Sequence, residues 1–98
     1  MTKSEALALQ TKCETYFDGL YGYEAKLSMN LCGNLAIHLG EHLFTFDEDG
    51  DVVYFKFVGD WDEAECIKKE IKNIYLENEQ ELSELLWSYE HIRELEDG

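Results

Sequence analysis

Between residues 23 and 57 the apolar side chains recur at every second position, and on either side of that stretch they recur at helical spacing. A period of two sends alternate side chains to opposite faces of a strand, whereas a period near 3.6 places i, i+3 and i+4 on one helix face. A chain that switches between these periods and back again is restricted to an order of helix, sheet, helix. The tightest constraint is FTFDEDGDVVYFKF, residues 44–57. With Asp49-Gly50 at the centre of a two-residue type I′ hairpin, Phe46 opposes Val53, Phe44 opposes Phe55 and His42 opposes Phe57. Thr45 then opposes Tyr54, and Leu43 opposes Lys56, on the other face. This register gathers the large apolar residues on one side, and a slip of one residue would scatter them.

The flanking elements follow from caps and breakers. Thr2 and Glu5 form a T-x-x-E capping box that opens a helix over roughly 3–18. Ala6, Leu9, Cys13, Tyr16, Phe17 and Leu20 form its apolar stripe, with Glu5, Lys12, Glu14 and Asp18 elsewhere around it, and Gly19 and Gly22 stop it. In YEAKLSMNL, Tyr23, Ala25, Leu27, Met29 and Leu31 share one strand face. Gly33-Asn34 offers a turn into a short strand carrying Leu35, Ile37 and Leu39, and Gly40-Glu41 turns the chain again. Asp60 and Glu63 cap the next helix, whose stripe is Ala64, Ile67, Ile71, Ile74 and Tyr75, with Glu65 placed to pair with Lys68 and Lys69. A second box, Asn78 with Glu81, predicts a break near Asn78. Leu82, Leu85, Leu86, Tyr89 and Ile92 then carry a last helix to about residue 95; one long bent helix is the alternative. The expected fold is α+β, in the order αββββαα, as a single domain over residues 1–98. Each strand keeps a polar face, so the helices cover only one face of an antiparallel sheet.

Charge limits the partners. The 98 residues carry a net charge of −14, and residues 41–98, with eighteen acids and five bases, hold −13 of it. That field repels DNA, RNA and anionic lipid and attracts basic protein surfaces, so direct nucleic-acid or membrane binding is not expected. No apolar run approaches the roughly 20 residues of a membrane span, and MTKSEALALQ has no apolar signal core. Cys13, Cys32 and Cys66 are odd in number and unclustered, which predicts reduced thiols and a cytoplasmic location.

Motifs for chemistry are weak. DEDGD fails as an EF-hand loop, which wants glycine at position 6 and a bidentate Glu at position 12; counted from Asp47, Gly50 is position 4 and position 12 is Val58. A nonspecific cation site remains open there, with a solvated hairpin tip as the plainer reading. HLGEH, residues 38–42, matches a metallopeptidase pattern that needs both histidines one helical turn apart. On strands His38 points to solvent and His42 to the core, so His42 reads as a satisfied core histidine. Neither a nucleophile elbow nor a Gly-rich phosphate loop is present. The expectation is a protein that is not an enzyme and holds no cofactor or metal.

The acids are the strongest feature. Asp47, Glu48, Asp49 and Asp51 ring Gly50 at the hairpin tip. Glu77, Glu81 and Glu84 form one stripe beside the apolar face of the last helix, and Glu79, Glu90, Glu94 and Asp97 form another on its far flank. Trp87 lies opposite the apolar stripe, either packing on the neighbouring helix or covering its own backbone, or serving as an aromatic anchor ringed by charge. The candidate partner-binding residues are therefore Asp47, Glu48, Asp49, Asp51, Glu77, Glu81, Glu84, Trp87, Glu90 and Glu94. In size, charge and element order the chain resembles small phage-encoded inhibitors that present DNA-like acidic surfaces, including certain anti-CRISPR proteins. WDEAECIKKEIKNIYLENEQELSELLWSYEHIRELEDG carries the acidic two-helix ending, from which Lys68, Lys69 and Lys72 depart. The resemblance implies a stoichiometric inhibitor that occupies the nucleic-acid groove of a defence or DNA-processing protein. The alternative is an acidic protein-binding module, such as an immunity protein or adaptor subunit, without nucleic-acid mimicry.

Overall fold

A computed structural model of the chain describes residues 1–30 and 32–97. The elements run α1 (Lys3–Phe17), β1 (Ala25–Met29), β2 (Leu35–Leu39), β3 (His42–Phe46), β4 (Val52–Lys56), α2 (Trp61–Glu77) and α3 (Glu79–Glu90), with 3₁₀ turns at Leu20–Gly22 and Ile92–Glu94. The α+β order αββββαα stands as read from the periodicity. The strands form an antiparallel meander in the order β1-β2-β3-β4. Leu31, expected on the inner face of the first strand, lies outside the described residues.

One core is shared by the inner sheet face and all three helices. Leu27, Ile37, Phe44 and Phe46 from the strands meet Cys13 and Phe17 of α1, Ile67, Ile71 and Tyr75 of α2, and Leu82 and Leu85 of α3. The other sheet face carries Lys26, His38, Tyr54 and Lys56, all exposed. His38 and His42 thus sit on opposite faces, which excludes the metallopeptidase geometry of HLGEH. His42 is 4% exposed. Its Nδ1 accepts the Val58 N–H (3.1 Å), its Nε2 lies 3.2 Å from Tyr23 Oη, and its ring stacks on Phe57 at 4.2 Å. An Nδ1 that accepts a backbone hydrogen bond leaves the proton of the neutral ring on Nε2, which donates to the Tyr23 hydroxyl.

The helix boundaries follow their caps, with three corrections. The Thr2–Glu5 box is formed in both directions, at 3.1 and 3.2 Å. Asp60 caps α2 by accepting the Asp62 N–H (3.1 Å) rather than through a box with Glu63. The break at Asn78 is present, but its side chain turns back and donates to the Ile74 carbonyl (2.9 Å), so no Asn78–Glu81 box forms. The last α-helix stops at Glu90 instead of about residue 95. His91 leaves helical geometry (φ −114°, ψ 22°), and its Nδ1 reaches the Trp87 carbonyl at 2.8 Å, closing the helix end with a side chain.

The hairpin differs from the type I′ expectation. Only Gly50 has positive φ (82°); Asp49 does not. Gly50 N–H donates to the Asp47 carbonyl and Asp47 N–H to the Asp51 carbonyl, both at 3.0 Å, which closes a three-residue loop of Glu48, Asp49 and Gly50. This is a type I turn followed by a left-handed glycine. It shifts the pairing by one residue, so that Phe46 opposes Val52 rather than Val53. A bulge absorbs Val53, and the ladder returns to Thr45–Tyr54, Phe44–Phe55 and Leu43–Lys56 as expected.

Candidate acidic interaction surface

The position of the tip carboxylates is fixed by bonds within and behind the loop. Asp47 Oδ1 accepts the backbone N–H groups of Asp49 and Asp51, each at 3.0 Å. Short acidic side chains favour such local bonds over regular pairing. From behind, Tyr75 Oη donates to the Glu48 carbonyl at 2.6 Å. Burial pushes the Tyr75 phenol up, and the charges of Glu79, Asp49 and Glu48 push it the same way against the Ser83 hydrogen bond. The tip is therefore held against the last turn of α2, with Leu86 and Glu90 of α3 beside it.

The β1–β2 turn is built the same way. Asn30 Oδ1 accepts from the N–H groups of Cys32 (3.0 Å) and Asn34 (2.9 Å), and Gly33 has φ 84°. Asn30-x-x-Gly33-Asn34 and Asp47-x-x-Gly50-Asp51 share one spacing. That repeat was the available signal for the three-residue loops.

Between these turns and α3 lies a groove of about 300 Å³, lined by Asp47, Glu48, Asp49, Leu86 and Glu90 together with Cys32, Gly33 and Asn34. It brings three tip carboxylates together with Glu90 of the far-flank stripe, over an apolar floor at Leu86. No basic side chain lines it among the described residues. In that setting each carboxylate raises the local negative potential, and the groove favours a cationic group.

The other candidates are placed elsewhere. Asp51 does not line the groove and pairs with Lys72 (2.6 Å), which raises the Lys72 pKa chiefly through that hydrogen bond, against desolvation. The carboxylates of Asp47, Asp49 and Asp51 lie within 4.8 Å of one another; the bonds to backbone N–H and to Lys72 already engage Asp47 and Asp51. Glu81 and Glu84 lie on the α1 side of α3. There burial first, then the Glu81 charge, with a smaller push from Glu84, raises the Cys13 thiol from 9.0 to about 11. Glu77 ends α2, so the Asn78 break separates it from Glu81 and Glu84. Glu94 lies in the 3₁₀ turn beyond α3. Trp87 is 50% exposed and stacks on His91 with ring centroids 4.3 Å apart. It covers the end of its own helix and still offers half its surface.

Comparison with known proteins adds no family: no family model, curated protein or solved structure matches this chain. No helix among the described residues is long and apolar enough to cross a membrane.

Proposed function

We propose that this chain is a stoichiometric inhibitor whose acidic surface occupies the basic, nucleic-acid-binding surface of a defence or DNA-processing protein, as anti-CRISPR-like DNA mimics do. Binding, not turnover, is the activity. The observation that carries the reading is the groove lined by Asp47, Glu48, Asp49 and Glu90, which no basic side chain lines among the described residues, while Lys72 is engaged by Asp51. Carboxylates held on a rigid surface can stand in for backbone phosphates, because Lys and Arg side chains that neutralise phosphates respond to the same charge. Trp87, half exposed on the same helix as Glu90, supplies an aromatic anchor of the kind that dominates many interfaces.

A second reading, an acidic protein-binding module without mimicry, draws on the lysines. Lys72 neutralises Asp51, and Lys68 and Lys69 precede it on the same helix, so the charge is not continuous as a duplex backbone is.

The experiment is affinity capture of the partner from a host-cell lysate, followed by titration of two variants. Glu48→Gln/Asp49→Asn/Glu90→Gln should weaken binding, mainly through slower association, and make its salt dependence shallower. Glu81→Gln/Glu84→Gln, on the α1 flank, should weaken it less. Unchanged binding by the first variant would remove the groove from the interface.

A further inference from the structure

The two edges of the sheet are finished differently. Along β1, α1 takes up the outward backbone groups: Asp18 Oδ1 accepts the Ala25 N–H (3.0 Å), Glu14 Oε2 accepts the Leu27 N–H (2.8 Å), and Gln10 Nε2 donates to the Leu27 carbonyl (3.2 Å). Gln10, Glu14 and Asp18 stand one turn apart on or at the end of α1, so the helix seals that edge. Along β4, among the described residues, no side chain bonds to the backbone of residues 52–56. An open edge presents unpaired N–H and C=O groups that template pairing with another chain. Beside it, Val53, Tyr54, Val58 and Trp61 are each more than half exposed. Monomeric proteins usually blunt such an edge with charge or twist. Here the bulge acts only at the start of β4 and Lys56 only at its end.

We propose that β4 is a self-association edge, at which two copies of this chain pair β4 to β4, antiparallel about a two-fold axis, and join their sheets. A two-fold axis makes the strand its own antiparallel partner. Charge selects a second copy as the occupant. The chain carries −14, yet this flank is not acidic: Lys68 pairs with Glu65 (2.9 Å) and Lys72 with Asp51 (2.6 Å), and Lys69 and Lys56 add further positive charge beside them. Lys68 also lies over the Phe55 ring at 4.9 Å, holding positive charge at the edge. Two such chains meet here away from the acidic tip and groove, where their repulsion is strongest. At 150–250 Å² for a whole aromatic side chain, Tyr54 and Trp61 supply roughly 200–300 Å² of uncovered surface per copy, a large part of the ~500 Å² per partner needed by the smallest stable interfaces. The edge lies on the opposite side of the hairpin from the acidic groove, so this inference does not depend on the function proposed above.

The sign of the salt effect makes it testable. Long-range repulsion between two acidic copies is screened as salt rises, so self-association should strengthen with salt, whereas binding of a basic partner should weaken. Sedimentation of the full chain from about 0.05 to about 0.5 M NaCl should show a monomer–dimer equilibrium that moves toward dimer, and β4 amides should gain hydrogen-exchange protection as protein concentration rises. Val53→Lys and Tyr54→Lys each lower the net negative charge and so reduce general repulsion, yet each should weaken the dimer at least tenfold while the melting temperature stays near that of the parent. A chain that remains monomeric up to about 1 mM at every salt concentration overturns the proposal. So does a dimer that both variants leave intact, with no concentration-dependent protection in β4.

Discussion

Gly50 packs against the ring of Tyr75 so closely that a Cβ on Gly50 would stand 2.8 Å from Tyr75 Cδ1. The glycine also holds φ at 82°, a conformation that β-branched residues resist. Gly50→Val therefore meets two obstacles, and it should cost about 2–4 kcal/mol. For a domain of this size that is a fall of roughly 10 °C or more in Tm. Asp47→Asn should change Tm little, because the amide oxygen can accept the same two N–H groups from Asp49 and Asp51. A Gly50→Val protein that melts with the parent would contradict both the turn assignment and the Tyr75 contact.

Tyr75→Phe keeps the packing and removes the 2.6 Å bond to the Glu48 carbonyl together with the longer 3.5 Å contact to Ser83 Oγ. The expected stability loss is about 1 kcal/mol. Amide exchange at Glu48, Asp49 and Gly50 should accelerate by more than that global loss accounts for. Exchange that tracks global stability alone would mean that Tyr75 does not hold the tip in place.

The three cysteines should separate by reactivity. Cys32 and Cys66 are exposed and Cys13 is buried, so a thiol reagent should label two sites quickly and the third only on unfolding. Because folding raises the Cys13 pKa from 9.0 to about 11, chiefly by burial, the folded state keeps a proton that the unfolded state releases in between. That contribution is fully present below about pH 9 and is lost as pH rises toward 11, amounting to at most roughly 2–3 kcal/mol. Tyr75 and Tyr89, both raised mainly by burial, act in the same direction at higher pH. Cys13→Ala should flatten the alkaline fall in stability. An equally steep fall in that variant would assign it to the tyrosines alone.

Trp87 should emit as a solvent-exposed indole once Trp61, itself 64% exposed and packed on Phe55, is replaced by Phe. Trp87→Ala should cost under about 1 kcal/mol of stability and about 2 kcal/mol or more of partner affinity. A blue-shifted emission with a large loss of stability would make it a structural residue.

Periodicity revealed the element order because burial on one face leaves its mark at every second or every third and fourth residue. It placed Phe44 opposite Phe55 because only that register buries both. Local bonds that compete with the pattern were harder to read. Asp47 and Asn30 turn their side chains onto nearby N–H groups, which lengthened one loop and moved Val53 into a bulge. Asn78 has a capping residue's identity but bonds backward to Ile74. Glu14 and Asp18 looked like part of a solvated helix face and instead seal β1, since sequence spacing alone does not tell water from a strand edge. The acids were visible from the start, but not which of them converge. Asp47, Glu48, Asp49 and Glu90 are brought together by tertiary packing, while Lys72 takes Asp51 out of the set.

On the proposed function, the acidic surface and nucleic acid compete for one site on the partner. The direct measurement is the anisotropy of a labelled oligonucleotide bound to that partner, titrated with this chain. Displacement that is complete at one equivalent, and weakened for Glu48→Gln/Asp49→Asn/Glu90→Gln, is the predicted result. An oligonucleotide that stays bound while the chain saturates the partner, in a ternary complex, would contradict the account.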